Sequence, residues 1–248
     1  MPVDELMVDV SSDWMAACEV QQRFMRVVTS NDALDISAQC RQVRELGGDF
    51  YDYVPAAGGR VAFAIGDASG KGLPAALMIA NVQSSLRTAA LFAGEEASEA
   101  IGAVNRQVFT SSLANRYATV FYGVFEPATR ILRYVNAGHQ PPMIVRRDGT
   151  VTWLETGGAP VGLFADWTYE EGVVRLEPGD VLVACTDGIT EAADAAGEDW
   201  GVDGLQRAVE DCRDAIAGEM VQAIFGSLDQ FMQGRQSDDA TVLALRVR

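Results

Sequence analysis

Val61-Ala62-Phe63-Ala64-Ile65-Gly66-Asp67 and Asp180-Val181-Leu182-Val183-Ala184-Cys185-Thr186-Asp187-Gly188 share one pattern: a short apolar run that delivers an aspartate at its C-terminal end. Such runs, bounded by turn residues, read as buried strands. Two more acidic segments accompany them. Gly47-Gly48-Asp49-Phe50-Tyr51-Asp52 lies near the start, and Ser237-Asp238-Asp239-Ala240-Thr241 leads into a last apolar run ending at Val247. Magnesium and manganese prefer oxygen ligands and leave coordination positions open to water, so carboxylates gathered from distant strand ends point to a metal-dependent hydrolase.

Each segment also has a plainer reading. Thr186-Asp187-Gly188 taken alone is an ordinary turn. Adjacent glycines permit positive φ, so 47–52 reads as a bulge or tight turn. Its likeness to the Gly-Gly-Asp-Glu-Phe signature of diguanylate cyclases fails at Phe50. Side chains alternate along a strand, so only one of Asp238 and Asp239 should face a shared centre, with the other capping or orienting it. Lys71, between Gly70 and Gly72 and before a helix, invites a P-loop reading. The spacing fails, because Ile65 takes the first-glycine position and Gly72 the hydroxyl position. His139, the only histidine, reads either as a structural residue in a turn or as a group behind or facing the substrate.

Around these segments the periodicities predict a helix over 12–29 with Ser11, Ser12 or Asp13 as its cap, and a strand near 34–43. Helices are expected over 73–92, with Pro74 in its first turn, and over about 97–113. Strands follow at 117–126, 130–136, 142–147, 150–154, 170–176 and 180–186, with Asp148-Gly149 as a hairpin signal. Two helices near 202–213 and 215–233 precede the last strand, 240–247. The expected fold is one α+β domain in which antiparallel sheets carry helices on their outer faces.

Composition bounds the function. The 248 residues are 48% apolar, enough for a large core. The formal charge, 19 − 35 = −16, argues against nucleic-acid or anionic-membrane partners. No apolar run approaches the ~18 residues that span a bilayer, and the first residues lack a signal-peptide pattern, so a cytoplasmic location is expected. Four widely spaced cysteines with no C-x-x-C pair argue against a zinc site or a disulfide framework. Lys71 is the only lysine, against eighteen arginines.

Taken in order, the segments 43–52, 66–78, 136–142, 158–163, 186–192 and 238–241 resemble the PPM superfamily of metal-dependent Ser/Thr phosphatases, specifically its bacterial SpoIIE/RsbU branch. The resemblance implies an α-β-β-α sandwich over 31–248, preceded by an N-terminal helix within 1–30. It implies two Mn²⁺ or Mg²⁺ ions, bridged by Asp67, with the Ala68 carbonyl on one of them and Asp187 and Asp238 completing the protein ligands. Asp49 would ligate a metal or hold its water. Two such cations lower the pKa of a shared water enough to give hydroxide at neutral pH for in-line attack on phosphorus.

Two positions depart from related patterns. Ser69 stands where the type 2C branch has a histidine that serves as general acid. Lys71 stands where this branch often has histidine, and either meets substrate phosphate or is simply solvated. The substrates implied are phosphorylated STAS-domain anti-anti-sigma-like proteins in partner-switching signal transduction or stress response. Input is expected in trans from an activator protein, and the apolar face of 12–29 is expected to mediate homodimerisation or switching. A catalytically silent binding module is the competing reading, against which stands the presence of Asp67, Asp187 and Asp238 together.

Overall fold

The computed structural model describes residues 3–25, 30–92, 96–113, 115–234 and 236–248. After helix α1 (Val3–Phe24), strands β1 (Leu34–Arg41), β2 (Asp49–Pro55) and β3 (Val61–Ala68) lead to helices α2 (Leu73–Phe92) and α3 (Ala97–Ser111). Next come β4 (Ala118–Glu126), β5 (Ile131–Ala137), β6 (Met143–Val145), β7 (Val151–Trp153), β8 (Gly157–Gly158), β9 (Gly172–Arg175) and β10 (Val181–Cys185). A four-residue helix α4 (Asp187–Thr190), helices α5 (Gly201–Asp211) and α6 (Ala217–Met232), and strand β11 (Ala240–Val247) complete the chain.

Two sheets result. One runs β1-β11-β10-β6-β7; the other runs β2-β3-β4-β5-β8, with β9 also on β5. All pairings are antiparallel except the two-residue contact of β5 with β8. Strand alternation sorts side chains into three layers of core. From β3, Val61, Phe63 and Ile65 point between the sheets to meet Phe121, Leu182, Leu243 and Leu245. Ala62, Ala64 and Ala68 point the other way, against Ile79, Val82 and Leu86 of α2 and Ile101 and Val104 of α3. On the far side, Val242 and Ala244 pack under Met220, Ile224 and Leu228 of α6. This is the α-β-β-α sandwich expected.

Three expectations need correction. The 47–52 segment is no isolated turn, since from Asp49 it forms strand β2, paired with β3 in the register Asp49–Asp67 to Pro55–Val61. The first helix starts near Val3 rather than at a cap among Ser11, Ser12 and Asp13, which lie within it and are exposed. Its expected last residues, 26–29, lie outside the described residues. Thr186-Asp187-Gly188 is not a plain turn, because Asp187 opens α4.

Candidate metal centre

Alternation also aims the acidic residues. Asp49, Asp67 and Thr119 sit side by side across β2, β3 and β4. Their parity matches that of Ile65 and Phe121, so they face between the sheets, at the mouth of the sandwich. From the other sheet, β10 delivers Thr186 and Asp187 to the same mouth, and β11 begins just after Asp238 and Asp239. Gly188 permits this crossing: a Cβ there would lie 1.9 Å from the Asp239 carbonyl oxygen.

The result is one cavity of about 420 Å³ whose lining includes Asp49, Asp67, Ala68, Ser69, Lys71, Asp187, Asp238 and Asp239. Eight of the nine residues singled out in the sequence thus meet in one place. The ninth, His139, is buried behind it. Thr119 Oγ1 and His139 Nδ1 are 3.1 Å apart, and the same hydroxyl donates to Asp67 Oδ1 at 3.4 Å. Burial pushes the imidazole down to about 4, with the Cys185 backbone pulling weakly the other way although Nε2 makes no well-formed hydrogen bond. His139 is therefore a neutral support, one residue removed from the cavity.

Asp49 is almost fully buried. Its Oδ2 accepts the hydroxyls of Thr186 and Thr241, each at 2.7 Å, which staples the two sheets together at the site. Burial raises its carboxyl to about 8 despite those two bonds. Asp67 is raised to about 6 by burial and by the charge of Asp187, with Asp238 and Asp239 adding to it. Asp187 is raised by burial and by Asp238, while Lys71 opposes. Five carboxylates that repel one another in one cavity form a donor set that suits a hard cation, which would remove the repulsion.

The carboxylates are not yet gathered around a point. Among the described residues, no three His, Cys, Asp or Glu side chains stand close enough together to hold an ion. Two of them hold other partners. Asp239 accepts the backbone N–H of Val43 and of Gly48, so it caps the 43–48 loop as the alternation argument allows. Asp238 is bonded by Lys71 at 2.7 Å. The Ser69 hydroxyl accepts the Tyr117 N–H and so anchors its loop.

Sequence reading missed several contributors. Thr119, Thr186 and Thr241 carry no signal beyond being β-branched residues in or next to strands. Arg44 also lines the cavity, its guanidinium near Gly72 of the Lys71 loop. Gln21 of α1 reaches the site's edge, donating to the Gly47 carbonyl at 2.8 Å and accepting the Gly47 N–H at 3.1 Å.

No described helix is long and apolar enough to cross a membrane. Residues 57–248 match the family Stage II sporulation protein E (SpoIIE). The phosphoserine phosphatase RsbU of Bacillus subtilis is 30% identical over 240 residues, which is 96% of this chain and 71% of RsbU. The chain spans between 24% and 44% of three other curated relatives it matches. Among solved structures, the SiaA-PP2C domain of Pseudomonas aeruginosa superposes with a TM-score of 0.81 at 20% identity over 99% of both chains. The RsbU and RsbW domains of a Mycobacterium tuberculosis protein give 0.73 at 25% identity, over 87% of this chain and 60% of that one. With the four-layer sandwich and the acidic mouth between its sheets, the match over 57–248 means that this chain belongs to the SpoIIE family.

Proposed function

We propose that the chain is a Mg²⁺- or Mn²⁺-dependent phosphoserine/phosphothreonine protein phosphatase. The observation that carries this reading is the cavity in which Asp67, Asp187 and Asp238 converge from three strand ends, with Asp49 locked behind them. Asp67, Asp187, Asp238 and the Ala68 carbonyl would hold two divalent cations. Once bound, the ions would supply a hydroxide nucleophile at neutral pH and offset charge on the phosphoryl oxygens.

The chain's own groups do the rest. Asp49, fixed by two threonine hydroxyls, would hold a water of the metal centre and set its orientation. Thr119, backed by His139, sets the rotamer of Asp67. Arg44 and Lys71 supply the positive charge at the cavity rim that a phosphoryl group seeks. Ser69 keeps its loop in place through Tyr117 and leaves the leaving-group proton to another donor.

The substrate in this reading is a phosphorylated STAS-domain regulator in partner switching, supported by similarity to RsbU and to a protein that joins RsbU and RsbW domains. Helix α1 is the input element, as a homodimer or against an activator protein. Its bonds to Gly47, at the start of the loop before Asp49, supply a path to the site. The silent-module reading draws on a single observation, the separation of the carboxylates.

Hydrolysis of para-nitrophenyl phosphate and of a phosphoserine peptide, with and without Mn²⁺, separates the two. Manganese-dependent turnover that falls by about 10²-fold or more in Asp187→Asn supports the phosphatase. A folded protein with no turnover on any divalent metal supports the silent module.

A further inference from the structure

Lys71 stands at the tip of the loop between β3 and α2, flanked by Gly70 at φ +94° and Gly72 at φ +75°. Those two left-handed residues fold the loop over the cavity. Behind the tip, the Ser69 N–H is bonded to the Tyr117 carbonyl at 2.8 Å, and Arg116 donates to the Ser69 carbonyl at 2.7 Å. The loop base is thus fixed while the lysine side chain is half exposed.

The ammonium of Lys71 donates to Asp238 Oδ2 at 2.7 Å, and Asp238 Oδ1 accepts the N–H of Asp239 at 2.9 Å. Both oxygens of a carboxylate assigned above to metal binding are therefore engaged. Each oxygen keeps a further lone pair, but a cation arriving at Oδ2 is repelled by the ammonium already there, and the half-exposed lysine is able to move away. Its compact charge sits on a four-carbon stem that can swing into water. An ion pair with both members half exposed is worth little, so the exchange costs little.

We propose that Lys71 is a built-in competitor for the metal: its ammonium occupies Asp238 while the cavity is empty and is expelled toward the phosphate-binding rim when a divalent cation takes its place. This rests on the metal-centre reading. Lys71 then lowers metal affinity by a modest factor below what the carboxylates alone would give. It also links loading to the release of a cation at the rim, where a phosphoryl oxygen can use it.

Two measurements on the full chain test this. The first is calorimetric titration of Mn²⁺ into wild type and Lys71→Gln. Removing the competing charge should tighten Mn²⁺ binding about 3- to 10-fold. The second uses the fact that Lys71 is the only lysine. Acylation by an amine-reactive ester, followed at the Lys71 peptide by mass spectrometry, should run faster with saturating Mn²⁺ than without it.

Equal or weaker binding by Lys71→Gln overturns the proposal, and so does labelling that Mn²⁺ leaves unchanged or slows. The second measurement needs no variant, so a folding defect cannot shield the idea. Failure of the underlying reading looks different: wild type would bind no Mn²⁺ at all. Binding that Asp187→Asn abolishes but Lys71→Gln leaves unaltered removes only the role of Lys71.

Discussion

Asp49 combines two features that pull in opposite directions. It is buried, which favours the neutral acid, yet it accepts two short hydroxyl bonds that favour the carboxylate; burial wins and the group rises to about 8. Asp67 rises to about 6. A carboxyl must lose its proton to face a cation, so metal binding at Asp67, with Asp49 beside it, releases protons. Mn²⁺ affinity should therefore climb between pH 6 and pH 8. Calorimetry in buffers of different ionisation heat should register net proton release that declines from pH 6 to pH 8. The threonines that hold Asp49 can be tested separately. Thr241→Val keeps shape but removes one bond to a buried carboxyl, and should destabilise the fold by about 1–3 kcal/mol in denaturant unfolding.

At the level of elements, the site depends on where β10 ends and α4 begins. Gly188 has the Asp239 carbonyl against it, so Gly188→Ala forces one backbone away from the other. A loss of about 1–3 kcal/mol in denaturant unfolding is expected, with weaker Mn²⁺ binding in the fraction that folds. The strands that deliver Asp67 and Asp187 were legible because both are continuous apolar runs, and alternation then dictates the face. Strand β2 was not, since Gly47-Gly48 argues for a turn and Asp49 and Asp52 look too polar for a buried strand. What makes Asp52 tolerable is Arg87 of α2, paired at 2.6 Å from 35 positions away. The start of α1 was misplaced for a related reason: Ser11, Ser12 and Asp13 have cap chemistry, yet here they face water within a helix. The Asp49 staple was equally hidden, because its threonines lie 137 and 192 residues away on the opposite sheet.

The whole molecule adds two consequences. Asp49 and Asp67 titrate above their unfolded range, so the metal-free fold loses stability as pH rises from about 4 through 6 to 8. His139 titrates below its unfolded range, so its contribution is complete above pH 6.5 and is lost toward about 4. Thermal unfolding should accordingly show the gap between Mn²⁺-loaded and metal-free protein widening from pH 6 to pH 8. The net charge of −16 bears on encounter instead. It repels an acidic phosphoprotein, so kcat/KM on such a substrate should rise as salt increases from about 20 to 150 mM and the repulsion is screened. The outcomes that involve Mn²⁺ all depend on the acidic mouth between the sheets being a metal centre. Anomalous scattering from a crystal grown with Mn²⁺ tests it most directly. Two manganese peaks in the cavity beside Asp67, Asp187 and Asp238 are the result this account predicts; a cavity without manganese at saturating concentration would contradict it.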